Sequence, residues 1–88
     1  MSDKIKNSKA GKIAGYYSLG QAAMASEIST QTLQYYLMCG LIEPANITQT
    51  NRKLFDNENI ERIKLIKKLN ESGYPLREIR EIFLKGKQ

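Results

Sequence analysis

The sequence predicts a mainly α-helical fold of about four helices with a small two-stranded β-hairpin. Three capping residues, Ser18, Ser29 and Asp56, each stand before a stretch in which apolar residues recur at helical spacing. A polar run at 48–51 separates two short stretches that alternate in character, as the strands of a hairpin do. The 88 residues make one domain, close to the size at which a single core gives only marginal stability.

The first two predicted helices are short and closely joined. Ser18 caps the first, and its small residues Ala22 and Ala23 let a neighbouring helix cross close by. Residues 26–28 turn the chain into Ser29, which caps the second helix. Two helices joined in this way form a helix-turn-helix, in which the first braces the second. The second, the recognition helix, presents its N-terminal residues to base edges in the major groove.

The recognition helix has two different faces. At about 100° per residue, Leu33, Tyr36 and Leu37 fall on one side, which we expect to pack in the core. The other side is polar and consists of Thr30, Gln31, Gln34 and Tyr35. Because Gln pairs with an adenine edge and hydroxyls bond to bases or phosphate oxygens, these four residues are candidate DNA contacts. Gly40, which tolerates a left-handed conformation, is expected to end the helix.

A hairpin is predicted over residues 42–55. Alternation along the returning strand lets Leu54 or Phe55 anchor inward, while Arg52 and Lys53 remain available at the edge. Adjacent cations beside a recognition helix suit a clamp on the sugar-phosphate backbone. The alternative is that their charges only protect an edge strand from aggregation.

The second half of the chain predicts two supporting helices. The first runs from the cap at Asp56 through residues 57–72 to Gly73, and Pro75 opens the second. Their predicted core residues are Ile60, Ile63, Ile66 and Leu69, widened by Leu65, and then Leu76, Ile79, Ile82 and Phe83. Basic residues of the first helix are interspersed with Glu at helical spacing, so we expect an ordinary solvated face there.

Positive charge is concentrated near the N-terminus. The chain has a net charge of +5 and a pI near 9.4, which suits an anionic partner. Residues 1–15 contain four lysines and one aspartate, a net of +3, so the other residues carry only +2. We expect a disordered basic arm at 1–15, a folded domain at 16–84 and a tail at 85–88. The arm either lies along DNA or only keeps the protein soluble.

Five short segments occur in an informative order and spacing. They are YSLGQAA at 17–23, STQTLQYY at 29–36, GLIEP at 40–44, NRKLF at 51–55 and LREI at 76–79. Together they resemble the N-terminal DNA-binding domain of MerR-type transcriptional regulators. The resemblance implies a winged helix-turn-helix that binds double-stranded DNA sequence-specifically, with Arg52 or Lys53 of the wing on the backbone or the flanking minor groove. It also implies a phosphate contact at Arg77, and Ser18 either adds one to its capping role or caps alone.

Two departures from that family bear on function. Gln34 stands where relatives usually carry an arginine, so a fixed cation is exchanged for a neutral amide. The chain also stops at Gln88 without the heptad run of a dimerising coiled coil. We therefore expect a single half-site and weak binding, unless a homodimer forms through a surface that the sequence does not reveal. No site for a small-molecule effector is evident.

Two other functions remain open from the sequence. One is a DNA-bending recombination accessory of the excisionase kind, and the other is a protein-interaction module that has kept the fold and lost DNA affinity. An enzyme is not expected, because the sequence shows no nucleophile-base pair or phosphate-cradling glycine loop. With no His and a single cysteine, Cys39, neither a metal site nor a cofactor is predicted. We expect a cytoplasmic protein of bacterial type without membrane contact.

Overall fold

Four helices and one antiparallel sheet form the part of the chain that the structure, a computed structural model, describes, which is residues 15–86. In chain order the elements are α1 (Leu19–Ala25), α2 (Thr30–Met38), β1 (Asn46–Ile47), β2 (Lys53–Leu54), α3 (Asn57–Glu71) and α4 (Leu76–Gly86). The predicted mainly α-helical fold with a small two-stranded wing is confirmed. The predicted arm lies outside the described residues except for Gly15, and α4 continues past the predicted domain end at 84.

Reciprocal side-chain caps start α1 and α3. Ser18 Oγ accepts a hydrogen bond from the backbone N of Gln21 at 3.2 Å, and Gln21 Oε1 accepts one from the backbone N of Ser18 at 3.0 Å. Asp56 and Asn59 repeat this arrangement at 2.9 and 3.0 Å. Each pair satisfies backbone donors that the helix itself leaves without partners, and for this reason the sequence locates both helix starts.

The first three helices end in the same left-handed turn. The residue after each C-cap has a positive φ, which is 62° at Glu27, 77° at Gly40 and 111° at Gly73. After α2, the backbone N of Leu41 donates to Tyr36 O at 3.0 Å, as in a Schellman motif. Glycine adopts this conformation without steric cost, so the sequence predicts two of the three ends, and Glu27 gives no such signal.

α1 and α2 pack directly against each other. Ala22 is fully buried and Ala23 is 2% exposed, because both lie in the core cluster beneath the crossing of the two helices. Ser29 then caps α2, since its Oγ accepts a hydrogen bond from the backbone N of Thr32 at 3.0 Å. The predicted helix-turn-helix is therefore confirmed.

The wing is a short hairpin whose two strands pair with Asn46 opposite Leu54. Thr48 closes its loop with both backbone and side chain. The backbone N of Thr48 donates to Arg52 O at 2.9 Å, and its hydroxyl accepts from Arg52 N at 3.0 Å. This local closure holds the basic end of the loop beside the end of β1.

Leu54 and Phe55 are both buried, although the sequence predicted that one or the other would anchor inward. Successive residues of a strand point to opposite faces, but Phe55 lies just beyond β2 and pairs with Tyr17 instead. Two backbone hydrogen bonds of 2.7 and 2.8 Å join Phe55 to Tyr17, and the Tyr17 hydroxyl donates to Asn57 Oδ1 at 3.0 Å. Tyr17 therefore fastens the chain's entry to the domain.

α3 and α4 complete the core. Ile60, Ile63, Ile66 and Ile79 are buried as predicted. The predicted core residues Leu69, Leu76 and Phe83 are partly buried against the core. Leu65 and Ile82 were also predicted to be core residues, but they are 45% and 47% exposed. Leu65 lies about 100° around the helix from its neighbour Ile66, which takes it off the buried face. Helical spacing identifies the apolar face of a helix. How much of that face is buried depends on how the neighbouring elements pack against it.

Candidate nucleic-acid interface

The side chains of Thr30, Gln31, Gln34 and Tyr35 form an exposed face of α2, with Tyr35 50% exposed. On the opposite face Leu33 is fully buried and Tyr36 is 5% exposed, and Leu37 packs partly buried against the core. The two faces that were predicted from helical spacing are thus confirmed. The polar side chains are held on a helix whose other face is fixed in the core.

α2 contains no charged residue, since it reads TQTLQYYLM. Its exposed amides and hydroxyls both donate and accept hydrogen bonds, which suits the distinct donor and acceptor patterns of base pairs in the major groove. Neutral groups supply no long-range attraction to phosphates. The cations that hold an anionic polymer must therefore come from other elements.

A first group of basic residues lines a cleft of about 350 Å³ between the start of α1 and the wing. We call it the wing cleft, and it contains Ser18, Arg52 and Lys53. Both basic side chains are exposed, so their charges are available to an anion. Ser18 Oγ accepts its capping hydrogen bond, and the hydroxyl can also donate one. The fold thus brings together predicted site residues that are remote in sequence.

A second cleft, of about 280 Å³, lies between α2 and α4 and contains Tyr35, Cys39, Leu76, Arg77 and Arg80. We call it the α2–α4 cleft. Hydrogen bonding to the Cys39 thiol raises the pKa of Tyr35 above its ordinary value. Tyr35 and Arg77, which were predicted separately, therefore share one cleft. The sequence reasoning missed Arg80, although its spacing of three from Arg77 places both on one side of a helix.

Tyr36 has a different environment from Tyr35. Burial raises the pKa of Tyr36 above its ordinary value, and the nearby Glu71 carboxylate raises it further. This agrees with the predicted packing role and separates the paired tyrosines into one core residue and one surface residue.

Arg62 has a packing contact that the sequence did not indicate. Its guanidinium lies over the Phe83 ring, 4.5 Å from the ring centroid. Such a cation–π contact stabilises by about 0.5–1 kcal/mol at an exposed site. Arg62 therefore fastens α3 to α4, whereas the sequence predicted an ordinary solvated face for the basic residues of α3.

Within residues 15–86, no three His, Cys, Asp or Glu side chains are grouped closely enough to hold a metal ion. No helix of the described chain has both the length and the apolar character that a bilayer span requires.

The sequence of the chain matches a known protein family and individual regulatory proteins. Residues 17–85 match the family described as MerR HTH family regulatory protein. Over 70 residues the chain is 33% identical to YyaN of Bacillus subtilis strain 168, an uncharacterised HTH-type transcriptional regulator. That match covers 80% of this chain and 51% of YyaN.

Solved structures share the fold. MtaN, the N-terminal part of the Bacillus subtilis multidrug transporter activator, matches with a TM-score of 0.71 and 31% identity over 76% of this chain and 63% of MtaN. HiNmlR, a MerR family regulator lacking the sensor domain and bound to promoter DNA, matches with a TM-score of 0.70 and 24% identity. The second match covers 76% of this chain and 53% of HiNmlR. The chain thus spans between 51% and 63% of these three proteins.

Proposed function

The chain belongs to the MerR HTH family of regulatory proteins, and from this premise we propose that it binds specific sequences of double-stranded DNA and regulates transcription. In this proposal α2 enters the major groove and the wing contacts the backbone. HiNmlR is bound to promoter DNA in its own structure, and YyaN is named as a transcriptional regulator. Both observations support the proposal for this chain.

The two faces of α2 carry the proposal. Leu33 is fully buried, so the helix cannot rotate without losing its place in the core. Gln31 and Gln34 are exposed three residues apart on the outer face, where an amide can make two hydrogen bonds to an adenine edge. Thr30 stands in the first turn, the part of a recognition helix that meets base edges.

The two clefts supply the phosphate contacts in this proposal. Arg52 and Lys53 of the wing cleft neutralise backbone phosphates, and the Ser18 hydroxyl donates to a phosphate oxygen. Tyr35 and Arg77 act in the same way from the α2–α4 cleft. Such contacts hold the protein in register on the duplex, while the amides of α2 distinguish sequences.

The remaining proposals concern the setting in which the protein acts. The protein acts in the bacterial cytoplasm, where its DNA is, and as a binding protein rather than an enzyme. A homodimer through a surface not evident in the sequence would occupy two half-sites, whose linkage raises affinity through effective concentration. The matched proteins are regulators, which favours this function over an excisionase or a protein-interaction module.

A selection experiment tests the proposed function. The full chain is incubated with a library of random duplexes at near-physiological salt, and the bound pool is sequenced. We expect one enriched motif, with lower enrichment as salt is raised because phosphate contacts release counterions. A recurring inverted repeat would indicate a dimer, and a single half-site would indicate a monomer.

The Arg52→Gln/Lys53→Gln double variant is the matched control in the same selection, because it removes the charges of the wing cleft without changing α2. It should recover fewer duplexes but enrich the same motif. Enrichment of tandem sites, together with strong bending of the bound DNA, would instead support an excisionase. A lack of enrichment by the unmodified chain would contradict the proposed function.

Replacing Gln34 with the arginine that is usual in the family should increase affinity for DNA. We expect Gln34→Arg to strengthen binding to all duplexes and to steepen the slope of log K against log salt by about 0.9, because one more phosphate is neutralised. Binding is measured by fluorescence anisotropy over a salt series. Leu65→Arg adds the same charge at an exposed position of α3. Equal slopes for the two variants would place Gln34 away from the backbone.

A further inference from the structure

The α2–α4 cleft contains two arginines and a tyrosine hydroxyl that face the same space. Arg77 and Arg80 come from α4, and Tyr35 comes from the exposed face of α2. The residues that line this cleft include no carboxylate, so its formal charge is +2. Like charges three residues apart on a helix repel each other, and an anion between them would remove that repulsion.

Arg80 is exposed, but its guanidinium lies against the end of the recognition helix. A Cβ atom at Gly40 would lie 3.0 Å from Arg80 Nε and 3.6 Å from Arg80 Nη2. The guanidinium therefore rests on the open side of the glycine that terminates α2. Arg80 also lines a second, smaller cavity, together with Gly40, Glu43, Arg62 and Phe83. Because its guanidinium already rests against Gly40, the side chain loses less conformational freedom when it binds a ligand.

The chemistry of the cleft fits one phosphate group. Guanidinium groups bind phosphate oxygens through paired, charge-assisted hydrogen bonds. The Tyr35 hydroxyl supplies one more donor when it exchanges its hydrogen bond with Cys39 for one with the phosphate. The volume of about 280 Å³ is ample for a phosphate group with its neighbouring sugar atoms. These donors lie on two different helices, so a bound phosphate would tie α2 and α4 to the same point.

We propose that Arg80 is a further contact to the DNA backbone, and that it binds the same phosphodiester as Arg77 and Tyr35 in the α2–α4 cleft. This inference rests on the proposed function, which it extends to a defined backbone site. The bound phosphate holds the C-terminal half of α2 against the backbone while its N-terminal half lies in the groove. Arg80 therefore contributes to affinity for every duplex and not to the choice among sequences.

Arg80→Gln in the full chain tests this site. We expect affinity for the selected duplex and for a scrambled duplex to fall to a similar degree, roughly tenfold, as for loss of a charge-assisted hydrogen bond. The slope of log K against log salt should become shallower by about 0.9. Arg80→Lys keeps the charge and should retain most of the slope. Lys64→Gln is the matched control, because Lys64 is exposed and lines a different cavity, with Ser26 and Glu27.

A double-mutant cycle asks whether Arg80 and Tyr35 share one phosphate. The losses from Arg80→Gln and Tyr35→Phe should be less than additive when the variants are combined, because either change weakens the same contact. Thermal unfolding of each variant separates binding from folding. A lower melting temperature for Arg80→Gln with an unchanged salt slope would mean that Arg80 only supports the end of α2, and would overturn the inference.

The two proposals fail differently in this experiment. If the unmodified chain binds DNA and Arg80→Gln has the same slope as Lys64→Gln, the phosphate site is wrong while the proposed function stands. If the unmodified chain binds no duplex at any salt concentration, both proposals are wrong. Additive losses in the double-mutant cycle would show that Arg80 and Tyr35 contact separate groups, which also overturns the shared site.

Discussion

Replacing Phe55 with Ala is expected to lower the free energy of unfolding by about 3–5 kcal/mol, because the ring is fully buried and its loss leaves a cavity. Phe55 also joins three parts of the fold. It follows β2, precedes the cap of α3 and forms backbone hydrogen bonds of 2.7 and 2.8 Å with Tyr17. Small domains hold about 5–15 kcal/mol in total, so this variant would lose a large fraction of its stability. Urea denaturation followed by circular dichroism measures the change.

Ile47→Ala is the matched control for that experiment. Ile47 lies on β1 of the same hairpin, but its side chain is 52% exposed. We expect its truncation to change the free energy of unfolding by no more than about 0.5 kcal/mol. Similar losses for Phe55→Ala and Ile47→Ala would contradict the described core, in which the base of the wing is anchored and its outer strand is not.

The second large effect is expected at Gln31, where Ala should change sequence preference and not overall affinity for DNA. Removing an amide that reads a base edge costs about 1–3 kcal/mol of discrimination at one base pair. The selection described above, repeated with Gln31→Ala, should return a motif that is degenerate at one position. Competition between the original motif and its single-base variants gives the magnitude.

Lys53→Ala provides the contrast to Gln31→Ala. Lys53 is exposed in the wing cleft, where a cation neutralises a phosphate regardless of sequence. We expect weaker binding to all duplexes, an unchanged motif and a salt slope that is shallower by about 0.9. If the two variants had the same effect on every duplex, the separation of base reading from backbone contact would be wrong.

Helix boundaries were largely predictable because their signals are local. The caps at Ser18, Ser29 and Asp56 each hydrogen-bond a backbone N three residues on. Glycine marks the ends of α2 and α3, since the left-handed turn that follows a helix favours it. The end of α1 was predictable only as a turn, because Glu27 adopts the same conformation without being a glycine.

The inward-facing residues of the wing and the limits of the buried helix faces were less predictable. Whether Leu54 or Phe55 turns inward depends on where the strand ends, and the strand ends where Phe55 meets Tyr17 from a distant part of the chain. In the same way, the exposure of Leu65 and Ile82 depends on how much of each helix its neighbours cover. Contacts between remote residues leave no fixed spacing in the sequence from which to read them.

Part of the candidate interface was also predictable from the sequence, and part was not. Spacing alone separated the outer face of α2 from Leu33 and Tyr36, because side-chain direction on a helix follows from its period. The grouping of Arg52 and Lys53 with Ser18, and of Tyr35 with Arg77 and Arg80, comes from packing between elements.

The sequence by itself determined the helices, their caps, the two faces of α2 and the resemblance to MerR-type regulators. These features depend on residues within about one helical turn of each other, or on short segments in a fixed order. Only the tertiary structure decided that Tyr17 pairs with Phe55, that both Leu54 and Phe55 are buried, and that Arg80 rests on Gly40. The physical reason is that those contacts form where separate elements pack, and close packing depends on the shapes of all the neighbours at once.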